Sequence, residues 1–271
     1  MTMRAGLLAV LALAGPATAI SAQETTNFSM VGFDVDLTNA DSYHASISEV
    51  IAQCELFELD SENSACMQQK DNGGQVWVGL RMDKGEATIV TANPAFVGKS
   101  RFPVTVEARI SDEAWEPFEY QLAVQFSDLD IPLIVELADP RDAAAFPVAG
   151  PARSVLLDLT AFGFAPKIFT SADEFLEAER YAEMQRASDF FIPTGLFGDT
   201  ARARASFAGQ VIEAELMTTQ DGKSHWRTLV KVLGGGTINV VFDDKAVEAA
   251  PVPGNIIAGD YWLSARVLGE K

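Results

Sequence analysis

The sequence predicts a mainly β protein with a β-sandwich-like N-terminal domain, one linker helix and a closed five-stranded barrel at its C-terminal end. Three observations carry the prediction. From Gln75 onward, apolar residues recur at every second position in short runs punctuated by Gly, Pro and Asp, the signature of half-buried strands. One later stretch opens with a capped-helix signature, Ser171-x-x-Glu174. Between Ala205 and Val267 five strand-like runs follow one another with turn signals between them. The expected boundaries are 1–22, a leader; 23–168, the sandwich-like domain; 169–199, the helical linker; and 200–271, the barrel.

Residues 1–22 read as a secretory signal peptide. Arg4 gives the positive start, Gly6 to Ala14 the apolar run, and Ala17-Thr18-Ala19 or Ile20-Ser21-Ala22 the cleavage site. The run is too short for a membrane span, and no later run is long enough, so the expectation is an exported protein, periplasmic or extracellular, with no integral membrane segment after leader removal. Residues 28–37 alternate Val31, Phe33, Val35 and Leu37 with Gly32, Asp34 and Asp36, which predicts a strand. Asp34, Asp36, Asn39 and Asp41 lack the glycine and terminal Glu of an EF-hand loop, so they read as a solvated face, and no metal ligand is predicted. Tyr43, Ile47, Val50, Ile51 and Cys54 fit a helical stripe.

Cys54 and Cys66 are the only cysteines. An even, close pair in an exported chain predicts a disulfide. The spacing matches neither a Cys-x-x-Cys redox motif nor a zinc site. The turn signal Asp60-Ser61-Glu62-Asn63 between them places the bond across a hairpin or a helix-to-strand corner.

The sandwich-like region continues with Val76 to Met82, the turn Asp83-Lys84-Gly85, then Ala87 to Thr91, Val104 to Ile110, Phe118 to Phe126, Ile131 to Leu137 and Val155 to Leu159. The order of strands, a turn near Trp115 and a last strand running into Leu159–Phe164 is weakly similar to exported bacterial β-domains. The invasion-associated locus B family and a family of secretion-system accessory proteins are examples. The similarity implies a non-catalytic exported β-domain and assigns no residue a role. Pro140 to Pro151 reads as a loop. A helix is expected from Ala172 to about Ala187 with a Phe175, Ala178, Ala182, Gln185 face, followed by the apolar connector Asp189 to Gly198.

In the C-terminal region Phe207, Gly209 and Val211 share one face, then the apolar phase slips to Ile212, Ala214 and Leu216. A one-residue slip swaps the faces of a strand, which predicts a bulge. Gln220-Asp221-Gly222 is a hairpin turn. Trp226, Thr228, Val230 and Val232 are expected inward, with His225, Arg227 and Lys231 outward. Gly234-Gly235-Gly236 turns the chain before Ile238, Val240 and Phe242, and Ile256–Ala258 and Tyr261–Val267 complete the set. The pattern Phe207-x-Gly209-x-Val211, Gly236-x-Ile238-x-Val240-Val241 and Gly254-x-Ile256-Ile257-x-Gly259-x-x-Trp262-Leu263-Ser264-x-Arg266 resembles a bacterial OB-fold-like domain of uncharacterised function. The resemblance covers about a quarter of the chain and implies a fold without implying an activity.

Charge divides the chain. Residues 23–199 carry 11 Lys and Arg against 30 Asp and Glu, whereas residues 200–271 carry 8 of each. An acidic body beside a barrel without a basic stripe argues against a nucleic-acid partner, leaving protein or oligosaccharide. The two histidines, His44 and His225, lie far apart in sequence. No Gly-x-Ser-x-Gly, His-Glu-x-x-His, phosphate-loop or dinucleotide motif is present. The expectation is therefore no catalytic residue and no cofactor. The alternatives are a carbohydrate-acting hydrolase using a carboxylate pair and a structural envelope protein. The candidate ligand-binding residues are His225, Arg227, Lys231 and Asn239, on the outer face of the barrel's second and third strands, where OB folds bind ligands. Tyr261 joins them as an exposed ring, with Trp262 filling the barrel. Glu213 is expected opposite Arg227, and Glu215 opposite His225, as ordinary cross-strand ion pairs.

Overall fold

A computed structural model describes residues 27–110, 116–127, 129–146, 148, 150–180, 182, 185–197, 201–219, 222 and 224–270. The leader, Trp115 and Asp221 lie outside the described residues. The fold is mainly β. A four-stranded antiparallel sheet is formed by β1 (Glu55–Glu58), β2 (Asn63–Gln69), β3 (Gly74–Asp83) and β4 (Glu86–Phe96). Ten further strands form one continuous sheet: β5 (Phe102–Ile110), β6 (Gln121–Phe126), β7 (Pro132–Leu137), β8 (Arg153–Gly163), β9 (Lys167–Phe169), β10 (Phe191–Ile192), β11 (Arg204–Thr218), β12 (Ser224–Lys231), β13 (Thr237–Asp243) and β14 (Ile256–Glu270).

That sheet closes on itself twice. β11, β12 and β13 are sealed by β8, which pairs in parallel with β13 and antiparallel with β14, while the first half of β14 pairs with β11. β5, β6 and β7 are sealed by the same two strands, β8 against β5 and the far end of β14 against β7. The molecule therefore contains two five-stranded rings that share the β8–β14 ribbon. The C-terminal region supplies only four of its ring's strands, because Ile256–Ala258 and Tyr261–Val267 run together as the single strand β14. The fifth is β8, from the other side of the expected boundary. Sandwich-like packing also differs from expectation. It arises between the four-stranded sheet and the outer face of the C-terminal ring, not within residues 23–168 alone.

The two rings correspond strand by strand. Exchanging β5 with β11, β6 with β12, β7 with β13 and β8 with β14 maps the other four pairings of each ring onto those of its partner in the same sense and the shared β8–β14 pairing onto itself. Both first strands carry a register shift, between Val106 and Ala108 and between Val211 and Glu213. The sequence repeats faintly after each third strand. Asp139, Arg141, Pro147, Val148 and Gly150 recur at the same spacing as Asp243, Lys245, Pro251, Val252 and Gly254. In both copies the Asp caps a 3-10 turn by accepting from the backbone N–H of the basic residue two positions on.

One apolar core fills both rings, from Val104, Leu122 and Val135 to Phe207, Val240 and Leu263. A second joins the four-stranded sheet to the C-terminal ring through Phe28, Met30, Val31, Phe33, Ile47, Val76, Val78, Phe96, Phe162 and Val241. Residues 28–37 contribute to it without forming a strand. α1 (Asn27–Met30) is helical, Val31 and Gly32 turn the chain with Gly32 at φ 81°, and residues 33–37 have no ladder partner among the described residues; Val31 and Phe33 are buried. Only from Phe33 to Leu37 does burial follow the alternation, with Asp34 and Asp36 exposed between more covered neighbours. α2 (Ala40–Ile51) is capped by Asn39, whose side chain accepts from Ser42 N. The disulfide Cys54–Cys66, with Cα atoms 5.6 Å apart, ties the end of α2 to β2. α3 (Ala172–Glu179) starts at the expected cap, Ser171 accepting from Glu174 N. It ends well before Ala187: beyond Phe175 its inward stripe is too weakly apolar to hold more turns, and Arg186 folds back to pair with Glu179 at 2.7 Å.

Candidate functional site

The β12–β13 outer face is built by an inward alternation that holds: Thr228 and Val230 on β12, and Ile238, Val240 and Phe242 on β13, are all buried toward the ring. The opposite side chains are the predicted site residues. The structure does not leave them open together. His225 and Asn239 are buried, at 0% and 1% exposure, because the chain's own α1 and residues 97–100 pack over that face. Arg227 is half-buried and Lys231 exposed beyond the cover. Tyr261 is 2% exposed and points into the ring, stacked on Phe207 with ring centroids 4.1 Å apart. Its neighbour Trp262 is the half-buried one, and its Nε1 donates to Glu136 Oε2 at 3.1 Å. His225 and Asn239 thus keep their expected place on the outer face but not their expected exposure, and the expected orientation of Tyr261 is corrected. Strand periodicity distinguishes two faces, but it does not say that both are covered.

Asn239 anchors a buried polar network. Its Nδ2 donates to Asp158 Oδ1 at 2.8 Å, and its Oδ1 accepts from Lys99 N at 3.0 Å. The second oxygen of Asp158, which is itself 1% exposed, accepts from Gly98 N at 2.9 Å. Ser100 Oγ accepts from Leu159 N and donates to Thr237 O. A Cβ at position 98 would lie 2.3 Å from Asn239 Oδ1, so only glycine fits there. A buried charge is tolerated when its lone pairs are satisfied, and here each carboxylate oxygen has a donor. The sequence hid this network because Asp158 and Thr160 alternate with Leu157 and Leu159 as a solvent-facing edge would.

Ion pairs decorate the open part of the face in a register different from the expected one. Glu215 stands opposite Arg227, and Met217 opposite His225, because the β11–β12 connection spans residues 219–223 and pairs Thr218 with Ser224, which fixes the register back to Glu213. Arg227 Nη2 lies 2.8 Å from Glu215 and 3.7 Å from Glu213, and Lys99 Nζ lies 2.7 Å from Glu213. The Lys99 hydrogen bond holds the Glu213 carboxyl below its usual range. These exposed pairs contribute at most about 1 kcal/mol each.

Tyr261 offers a stability test. Its hydroxyl is buried without a hydrogen-bond partner, and burial raises its pKa far above the ordinary phenol range. An unmade buried hydrogen bond costs about 1–3 kcal/mol. Tyr261→Phe is expected to leave the denaturation midpoint unchanged or to raise it, by up to about 1 kcal/mol of stability. A loss above that size in urea titration would show that the hydroxyl is engaged.

Two clefts, one between Phe102, Phe126 and Leu233 and one between Val106, Phe146 and Arg153, each admit only about 10 Å³, room for about one water. Among the described residues, no group of three or more His, Cys, Asp and Glu side chains is placed to hold a metal ion, and no helix is long and apolar enough to cross a membrane. What the surface does offer is a strand edge. Beyond the bulge, Ile212–Thr218 pairs with β12 on one side and with no described strand on the other. Ile212 and Leu216 on it are 41% and 47% exposed. The chain matches no protein-family model and no curated protein.

Proposed function

We propose that the protein is an exported, non-catalytic binding or assembly module of the bacterial envelope, and that it engages an extended protein segment. The observation that carries the reading is the unpaired edge of β11 beyond its bulge, with Ile212 and Leu216 standing exposed on it. An open row of backbone N–H and C=O groups is a template for strand addition, in which main-chain hydrogen bonds give affinity and alternate side chains give specificity. The polar groups that a small-molecule site would use are engaged elsewhere: Asn239 with Asp158, and Arg227 with Glu213 and Glu215. The disulfide supports an oxidising compartment.

A melting-temperature screen of the chain from Gln23 onward, against extended peptides, oligosaccharides and small anions, tests this. Peptides at about a hundred times their Kd should stabilise the fold by about 2.7 kcal/mol, and the double variant Ile212→Lys, Leu216→Lys should lose that shift while melting alone as the parent does. A response to oligosaccharides only, or to none of the probes, contradicts the proposal.

A further inference from the structure

We propose that residues 28–33 form a displaceable cover over the β12–β13 face, and that protonation of His225 loosens it. This inference does not depend on the β11 edge, so either can fail alone.

The geometry begins with where the cover sits. α1 packs on β12 and β13. Directly after it, Gly32 is pressed against Thr219 at the end of β11, where a Cβ would come within 2.3 Å of the threonine methyl. Lys70 Nζ donates to the Gly32 carbonyl and pins the segment from the other side. His225 lies at this same end of the face, level with Met217 on β11 and Asp243 on β13. It is fully buried, and neither Nδ1 nor Nε2 has a hydrogen-bond partner. Buried polar atoms are nearly always paired, so an imidazole with both nitrogens orphaned beneath the cover calls for an explanation.

The charged surroundings are sparse. Asp243 is the carboxylate across the ladder, and its Oδ1 already accepts from Lys245 N. α1 carries no acidic or basic residue, and β11 offers Met217. Arg227, two residues along the same strand face, is held by Glu213 and Glu215, and Lys70 adds a further positive charge on the cover side. Burial therefore dominates and lowers the pKa of His225 to about 4, with Asp243 acting weakly the other way.

The sign follows from linkage. An exposed imidazole titrates near 6.5, so the uncovered form binds protons first as pH falls. The closed form is fully favoured above about pH 6.5, and that preference is lost progressively between about pH 6.5 and pH 4. Going from pH 7 to pH 5 raises the uncovered population about twentyfold. The cover is the element that yields, because it is held by side-chain packing of Phe28, Met30, Val31 and Phe33 in the core between the four-stranded sheet and the ring, with no strand pairing, whereas β12 and β13 are joined by a continuous ladder. The loop 97–100 stays in place through Asp158 and Asn239. Acid therefore unmasks the part of the face that neutral pH keeps shut.

Hydrogen exchange read by mass spectrometry at pH 7 and pH 5, corrected for intrinsic rates, tests the proposal on the chain from Gln23 onward. Protection of residues 28–33 should fall about twentyfold, while β8 amides from Leu157 to Ala161 change several-fold less. His225→Leu should abolish the acid effect. Equal loss in β8, no loss in 28–33, or an unaltered acid effect in His225→Leu overturns it. If that variant does not fold, proton NMR of the two imidazoles in the parent protein decides, with His44→Gln supplying the assignment. A His225 ring that titrates in the folded state near pH 6.5 overturns the cover, and one that stays neutral to below pH 5 supports it.

Discussion

A fragment of residues 200–271 will not fold. Expressed alone it should give a disordered far-ultraviolet spectrum, collapsed amide dispersion and no cooperative thermal transition, although it contains everything that resembles a barrel domain. The reason is β8. That strand supplies the parallel partner of β13 and the antiparallel partner of β14, so without it the ring has a gap bounded by two bare edges. It also contributes Val155, Leu157, Leu159, Ala161 and Phe162, all at most 1% exposed. At roughly 1.5–3 kcal/mol for each large side chain buried, their loss rivals the whole stability of an ordinary domain, about 5–15 kcal/mol. Adding residues 27–199 in trans should restore the transition. A fragment that melts cooperatively by itself would show that its four strands suffice.

Asn239→Ala should cost about 3–5 kcal/mol in chemical denaturation. The substitution removes the 2.8 Å donor to Asp158 and the acceptor of Lys99 N, leaving a carboxylate that is 1% exposed with half its partners gone. Truncating one member of a buried charged network is expensive because the other member stays behind. By contrast, Lys231→Ala on the same face should change stability by less than about 0.5 kcal/mol, since Lys231 is exposed. If the two variants prove equally mild, the network is not holding the loop 97–100 against β8 and β13.

Local patterns were legible where one face of a strand meets a core. The runs in β3 through β8 and in β11 through β13, the bulge after Val211, the Ser171 cap and the Cys54–Cys66 bond can all be read from residue types and spacing. What spacing does not encode is the partner across the sheet. β8 looks like the end of one domain because its partners, β13 and β14, lie some eighty to a hundred residues downstream, and a strand carries no mark of which distant edge it completes. The same gap explains the candidate site. His225, Asn239 and Lys231 share one face in sequence, and they differ in environment because α1 and residues 97–100, both distant in the chain, cover part of it. Tyr261 and Trp262 exchanged their expected places for a related reason. β14 serves both rings and is buried on both faces over Ile256–Ala258 and Leu263–Ala265, so hydrophobicity alone does not set its phase.

The shared ribbon also constrains the order in which the chain can mature. β14 ends at Glu270 and completes both rings, pairing with β11 near its start and with β7 and β8 further on. During synthesis, neither ring can seal until those residues have left the ribosome, however long β5 to β8 have already been outside it. Closure over such sequence distances is slow, and the waiting strands present greasy, unpaired edges meanwhile. Both rings of such a polypeptide therefore stay open until β14 has been made.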